Sequence, residues 1–452
     1  MTERRQSRGI LAWMLFDWAN QPFQTLIVTF VFAPYFVTAV IDDPAEGQAL
    51  WGTAIAVAGG ATALLAPILG AIADRTGSLK PWIAVFSIPY VIGCAGLWLA
   101  IPAMPAPFPV LMLFALAFAA SELTLILTNA LLPQLGEGRT LGRISGSGWA
   151  LGYVGGLLSL VLVLALIAPE PGSERTLAGL APIFGLDPAA GEPARATGPL
   201  TALWYVVFAL PLFLFTPDRP RRGTLGPAIS AGLRDLGSTI ARARSHRNLF
   251  IYLLASMLYR DGLAALFAFG GIFAAGVLGW GLFQLATFGI LAAGAGALGA
   301  WVGGRADSAY GPRPVVTTAI WMLVAVCMTV LATSRESFAF LPLPAGSSLP
   351  DIIFLAAGAF LGAASGALQA ASRTLLIDIA RARIDSAQAF GLYALSGRVT
   401  AFIGPTLIAT MTAVTGSQHL GISPVILLFV SGLVLLQFSG GGERQETRKR
   451  HR

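Results

Sequence analysis

The chain has 452 residues, 56% of them hydrophobic and only 11% charged, with a formal net charge of +7. Soluble proteins carry about 25% charged residues, so this deficit excludes a water-soluble globular protein and points to lipid. The positive charge does not indicate nucleic acid, because the basic residues lie in short loops between apolar stretches, where membrane orientation explains them.

A bilayer-spanning helix needs about 20 mostly apolar residues, and such stretches recur from end to end. The first covers 9–38, after Arg4, Arg5 and Arg8. It is too long for a signal peptide, contains Asp17, Asn20 and Gln21, and is followed by no small-residue cleavage site, so it reads as a retained span. Asp17, Asn20, Gln21 and Gln24 stand at i, i+3, i+4 and i+7, one face of a helix. Spans 2 to 6 are expected at 49–73, 81–101, 108–133, 143–168 and 199–216. Span 4 carries Glu122, with Asn129 on the same face two turns on. Residues 169–198, rich in Pro, Gly and Ala, read as an exposed loop.

Residues 217–247 carry seven Arg and read as a linker between two six-helix halves. Spans 7 to 12 follow at 248–275, 281–304, 314–334, 352–380, 386–413 and 420–439. The division is 1–216, linker 217–247, second bundle 248–440 and a basic tail 441–452. Arg outnumbers Lys 27 to 2, a bias that suits a GC-rich bacterial genome. All but six basic residues fall in segments that are cytoplasmic if the N-terminus is inside. Arg175, Arg195 and Arg335 are then external, and Arg260, Arg373 and Arg398 lie within spans. The positive-inside rule therefore predicts both termini and the linker in the cytoplasm, most simply at a bacterial inner membrane.

The halves repeat. Gly70, Asp74, Lys80, Pro81 and Cys94 recur, shifted by 233, as Gly303, Asp307, Arg313, Pro314 and Cys327. Gly142, Gly148 and Gly155 recur, shifted by 249, as Gly391, Gly397 and Gly404. Met14-Leu15-Phe16 matches Met257-Leu258-Tyr259. These matches set span 1 on 7, 2 on 8, 3 on 9 and 5 on 11, a parallel duplication of the kind found in major facilitators.

Specific motifs point the same way. Gly70-Ala-Ile-Ala-Asp74-Arg75-Thr76-Gly77 with Lys80 resembles the signature between helices 2 and 3 of the major facilitator superfamily. Gly303 to Asp307, Gly311 and Arg313 are its second-half counterpart. Residues 78 and 79 are Ser and Leu where many members have a basic residue. Asp17-Trp18-Ala19-Asn20, Asn129 to Pro133, Gly148-Trp149-Ala150-Leu-Gly152, Tyr259-Arg260-Asp261-Gly262 and Gly391 to Gly397 resemble the unknown-major-facilitator (UMF) family. Its fungal relatives include the autophagy-related vacuolar amino-acid effluxer. The resemblance implies an all-α, twelve-helix major facilitator fold. It implies conformational gating by Gly70, Asp74, Arg75, Lys80, Gly303, Asp307 and Arg313, and a central cavity lined by helices 1, 4, 7 and 10.

An ionisable group inside a span costs about 2.5–3.5 kcal/mol on insertion scales and faces a cavity or a partner. The charge census falls on Asp17, Glu122, Arg260, Asp261, Arg373 and Arg398. Adding the polar residues on the same faces and the family-like tyrosines gives a candidate substrate and ion cavity of Asp17, Asn20, Gln21, Glu122, Asn129, Tyr259, Arg260, Asp261, Gln369, Arg373, Tyr393 and Arg398. Three acids and three Arg suit a zwitterion such as an amino acid, and equally suit internal ion pairs. Glu122 has no basic residue within a turn of its own helix, and burial would favour its protonated form, so it is the candidate proton carrier. Cys94 and Cys327 fall within spans and read as small buried residues. His246, His419 and His451 are peripheral and lack metal-ligand spacing. No catalytic constellation, nucleotide loop or cofactor motif is present.

The expected function is secondary active transport of a small polar solute by alternating access, coupled to protons, by a monomer. Two alternatives stay open: translocation of a lipid or lipid-linked precursor on the same fold, and a non-transporting membrane scaffold or assembly factor.

Overall fold

A computed structural model describes residues 3–169, 175–220, 246–278, 280, 282–339, 341–344, 346–381, 384–400 and 403–439. Most of the linker and the basic tail lie outside the described residues. Helices occupy all twelve predicted spans. Among the described residues ten helical segments are long and apolar enough to cross a membrane, including Glu46–Thr76 (span 2), Lys80–Leu99 (span 3), Phe108–Gln134 (span 4) and Arg139–Leu166 (span 5). In the second half Arg247–Leu278, Leu282–Tyr310, Pro312–Ala332 and Leu349–Ala380 form spans 7 to 10. Large apolar side chains such as Leu64, Leu203, Leu298, Phe360 and Leu427 lie exposed on the helices, as lipid-facing groups do.

Three elements depart from the apolar pattern. Span 1 is α-helical over Glu3–Pro22, widens to π-helix over Phe23–Phe30, and bends at Val31, whose φ is −122° and ψ −63°. It resumes as Phe32–Tyr35 and a second π segment, Phe36–Val40. Pro22 and Pro34 each remove a backbone donor and crowd the preceding turn, which is how such kinks arise.

Span 6 runs over Glu192–Phe215, starting well before the expected 199. Gly191 enters it at φ +66° and Pro193 stands in its first turn, a favoured place for proline. Arg195, expected in an external loop, is buried in this helix. Its Nε donates to the Trp98 carbonyl at 2.8 Å and its guanidinium lies 4.6 Å from the Trp98 ring centre. Hydropathy alone ends the span at that charge, whereas the structure solvates it with backbone carbonyls and an indole ring.

Span 11, expected as one helix over 386–413, is two pieces, Ser386–Val399 and Ile403–Thr415, with a turn at Thr400. Span 12 is Ser423–Phe438, preceded by the short turn Gln418–Gly421. Between spans 9 and 10 a small hairpin pairs β1 (Ser337–Phe338) with β2 (Leu341–Pro342).

The chain forms two compact units. The first holds 1–66, 73–136 and 151–224; the second holds 67–72, 137–150 and 225–452. The first has an aromatic core: Trp51 stacks on Phe114 at 3.8 Å, and Phe23, Phe118, Tyr90 and Tyr205 extend it. The second is drawn together by small residues. Gly358, Gly362 and Gly366 stand four apart on span 10, and added Cβ atoms at the last two would fall on the carbonyls of Ala292 and Gly296 in span 8. Helices approach this closely in lipid only through such residues. Gly294, on span 8 two residues before Gly296, faces open space instead.

Candidate functional site

In the first unit, the polar face of span 1 meets its neighbours. The Ser121 hydroxyl donates to Asn20 Oδ1 at 3.0 Å, tying span 1 to span 4. Asp17 and Gln21 pack on a glycine ridge of span 5: an added Cβ at Gly152 would meet the Asp17 backbone, and one at Gly156 the Gln21 side chain. Asp17 is 8% exposed and is engaged by other groups. Glu122 is half-buried and is engaged by other groups too. Asn129 closes span 4, with its Oδ1 buried and unbonded among the described residues.

In the second unit, spans 7, 10 and 11 bring most of the predicted residues together. Tyr259 shares a 2.9 Å hydrogen bond with the Ser372 hydroxyl, and Tyr252 donates to the Ser372 carbonyl at 2.8 Å. Arg260 donates to the Tyr393 carbonyl at 2.7 Å, lies 4.2 Å from that ring's centre, and packs against Gly397. The Arg260 charge is thus stowed against span 11. Gln369 donates to Ser365 at 3.0 Å, and Arg373, buried, lies 4.6 Å from the Trp149 ring centre. Asp261 is buried beside Arg260. Arg398 falls on the first piece of span 11, with its side chain outside the described residues.

The predicted gating residues form two different devices. Gly77 and Gly311 end spans 2 and 8 with positive φ of +83° and +88°, which favour glycine, and their N–H groups bond back to the Ala73 and Asp307 carbonyls. After span 2, the Asp74 carboxylate meets Arg219 at 2.6 Å, and Arg219 also donates to the Ala130 carbonyl. Asp218 accepts from the Ser78 hydroxyl and from the N–H groups of Leu79 (2.9 Å) and Lys80 (3.1 Å). A carboxylate there caps the positive end of span 3. Lys80 reaches the Phe213 carbonyl at the end of span 6, and Arg313 reaches the Leu436 carbonyl at the end of span 12, so the repeat extends to these ties. Arg75 is exposed.

Asp307 has no such arginine among the described residues. It accepts from the Thr374 hydroxyl and lies against Gly142. Gly304 abuts Gly142 and Gly146 at the start of span 5, as Gly70 abuts Ala387 at the start of span 11. Gly303 meets Ala367 of span 10.

A family model described as vacuole effluxer Atg22 like matches residues 45–441. The chain belongs to this family. It is 25% identical over 437 residues to the uncharacterized MFS-type transporter YxiO of Bacillus subtilis (strain 168), covering 94% of each chain. It is 23% identical over 294 residues to autophagy-related protein 22 of Coccidioides immitis (strain RS), covering 61% of this chain and 45% of that one. This Atg22-like chain thus spans about half the length of the fungal relatives it matches. Among solved structures, the human organic anion transporter MFSD10 (TETRAN) aligns with a TM-score of 0.69 at 16% identity, covering 95% of this chain and 99% of that one. The E. coli fucose:proton symporter FucP aligns at 0.66 and 14% identity, covering 96% and 98%. These likenesses establish the major facilitator fold.

Composition and periodicity singled out neither Asp218 nor Arg219 of this Atg22-like chain. The available signal is local: Pro217-Asp218-Arg219-Pro220 sets an acid and a base between two prolines directly after span 6. Proline fixes its own φ and restricts the residue before it, which holds the two side chains in place.

Proposed function

We propose that this Atg22-like protein is a secondary active transporter that moves a small polar solute of the amino-acid type by alternating access, driven by protons. The observation that carries this reading is the burial of Asp17, Asp261 and Arg373 in spans 1, 7 and 10 of a major facilitator fold. Ionisable groups kept at membrane depth mark solute and ion paths. The names of the relatives favour transport, and the fungal relatives favour export. The test is metabolite profiling of a deletion strain, then uptake of amino-acid mixtures into proteoliposomes with an imposed pH gradient. Accumulation that collapses with the gradient is expected. Equal uptake by empty vesicles would overturn the reading.

In this reading Glu122, half-buried on span 4, offers its carboxylate to the cargo's ammonium group. A hydrogen bond to a charged group is worth about 1.5–3 kcal/mol, so Glu122→Gln should raise the KM for a zwitterionic cargo about ten- to hundredfold. An unchanged KM would remove Glu122 from the cargo site. A membrane scaffold is the second reading, favoured by the stowed Arg260 and the bonded Asn20; flux in proteoliposomes separates the two.

The expected topology is both termini and residues 217–247 in the cytoplasm, at a bacterial inner membrane. Reporter fusions at Ala189 and Arg234 should therefore report opposite faces. The same face for both would break this arrangement.

A further inference from the structure

We infer that Asp261 binds the coupling proton, at the interruption of span 11. The inference rests on the transporter reading and names the ion-binding group within it.

Asp261 is 1% exposed, and its Oδ2 has no hydrogen-bond partner among the described residues. By contrast, the other buried acids and arginines of the described spans are engaged: Asp17 and Arg373 by neighbouring groups, Asp74 by Arg219, Arg195 by the Trp98 carbonyl and Asp307 by the Thr374 hydroxyl. A carboxylate kept ionised with an unmatched oxygen in such surroundings is costly, whereas a neutral carboxyl group is tolerated.

The backbone around it is built for an ion. The first piece of span 11 stops at Val399, the Ile403 N–H bonds the Thr400 carbonyl at 2.8 Å, and the helix resumes. The Thr400 hydroxyl lies within hydrogen-bonding reach of the Asp261 carboxyl. A helix C-terminus carries partial negative charge on its last carbonyls, which opposes a second anion and favours a proton. Interrupted helices in transporters mark ion sites for this reason.

The internal repeat shows that packing does not require this carboxyl. With Met14 set on Met257, Trp18 is the counterpart of Asp261. An added Cβ at Gly155 would meet the Trp18 carbonyl at 3.0 Å, and one at Gly404 the Asp261 carbonyl at 2.9 Å. The same backbone contact closes both helix pairs, and the side chain is free to differ.

Among the described residues the charged neighbours are few. The Arg260 guanidinium is turned to Tyr393 and Gly397. The second piece of span 11 and span 12 carry no ionisable residue. On span 10, Arg373 is stacked on Trp149, Asp378 is exposed near its C-terminal end and Asp351 bonds Arg335 and Trp280 in its first turn. Arg305 and Asp307 sit in the last turns of span 8. Arg398 and His419 belong to elements packed on span 7, with side chains outside the described residues. The adjacent Arg260 repels a resident metal cation.

The test needs no cargo, because the probe is the proton. Full-length protein is reconstituted into vesicles on a solid-supported membrane and given a pH step. Wild type should show a transient charge displacement whose amplitude titrates with pH. Asp261→Asn should abolish it, Asp261→Glu should keep it with a shifted midpoint, and Asp42→Asn, which removes an exposed loop carboxylate, should leave it intact. A Na+ step should evoke nothing. Charge movement that survives in Asp261→Asn overturns the inference, as does a Na+ signal that this variant removes, or a silent wild type. If Asp261→Asn fails dispersity and melting checks, an unshifted midpoint in Asp261→Glu overturns it instead. Failure of the transporter reading is seen separately, as absence of solute flux.

Discussion

Arg219→Gln should lower stability by about 3 kcal/mol, and the double variant Asp74→Asn/Arg219→Gln should recover most of that loss. The Asp74 side chain is 1% exposed and meets Arg219 at 2.6 Å. Removing only the cation takes an ion-pair partner from a buried carboxylate, a change that costs up to about 3–5 kcal/mol, while neutralising both partners removes most of the penalty. Arg219 is itself 18% exposed, so the lower end of that range applies. Melting of the four proteins in detergent gives the double-mutant cycle. Additive effects would show that the pair does not act as a unit. Asp74→Asn alone should slow transport and shift the balance between access states, leaving affinity in the competent state little changed. Crosslinking across the two faces reads that balance; a lost binding site with an unchanged balance would contradict it.

The second large effect is expected at the glycine ridge of the second unit. Gly362→Val should prevent accumulation of folded protein, because its Cβ would be driven onto the Ala292 carbonyl. Overpacking a core with extra methylenes costs about 1–3 kcal/mol when side chains can move. Here the obstacle is backbone, held on both sides by Gly366 against Gly296 and Gly299 against Ala363. Gly294→Ala is the contrasting case. Nothing lies within 4 Å of its added Cβ, and alanine gains about 0.8–1 kcal/mol over glycine in a helix. It should leave melting unchanged or raise it. If both variants melt like wild type, close approach of spans 8 and 10 is not what holds this unit together.

Much of the cavity prediction came from spacing, and spacing could not say what each polar group faces. The i, i+3, i+4 row of span 1 was legible, yet Asp17 and Gln21 meet the Gly152–Gly156 ridge and Asn20 meets Ser121. The Arg260 charge was found by the census, while its stacking on Tyr393 depends on how span 11 is rotated. The break in span 11 was hidden because Thr400 and its neighbours remain apolar enough to continue a hydropathy run.

The sequence by itself determined the number and order of the spans, their internal duplication and the residues whose burial needs a reason. Each of these depends on the composition of a local segment or on its match to another, because lipid selects for apolar length and penalises charge residue by residue. Tertiary structure alone decided that Arg219 closes on Asp74, that Gly366 rather than Gly294 lets two helices touch, and that Asp261 keeps an oxygen without a partner among the described residues. Those outcomes turn on helix rotation, crossing and shifts of a few ångströms between segments far apart in the chain, which the close fit of neighbouring side chains sets and local composition does not.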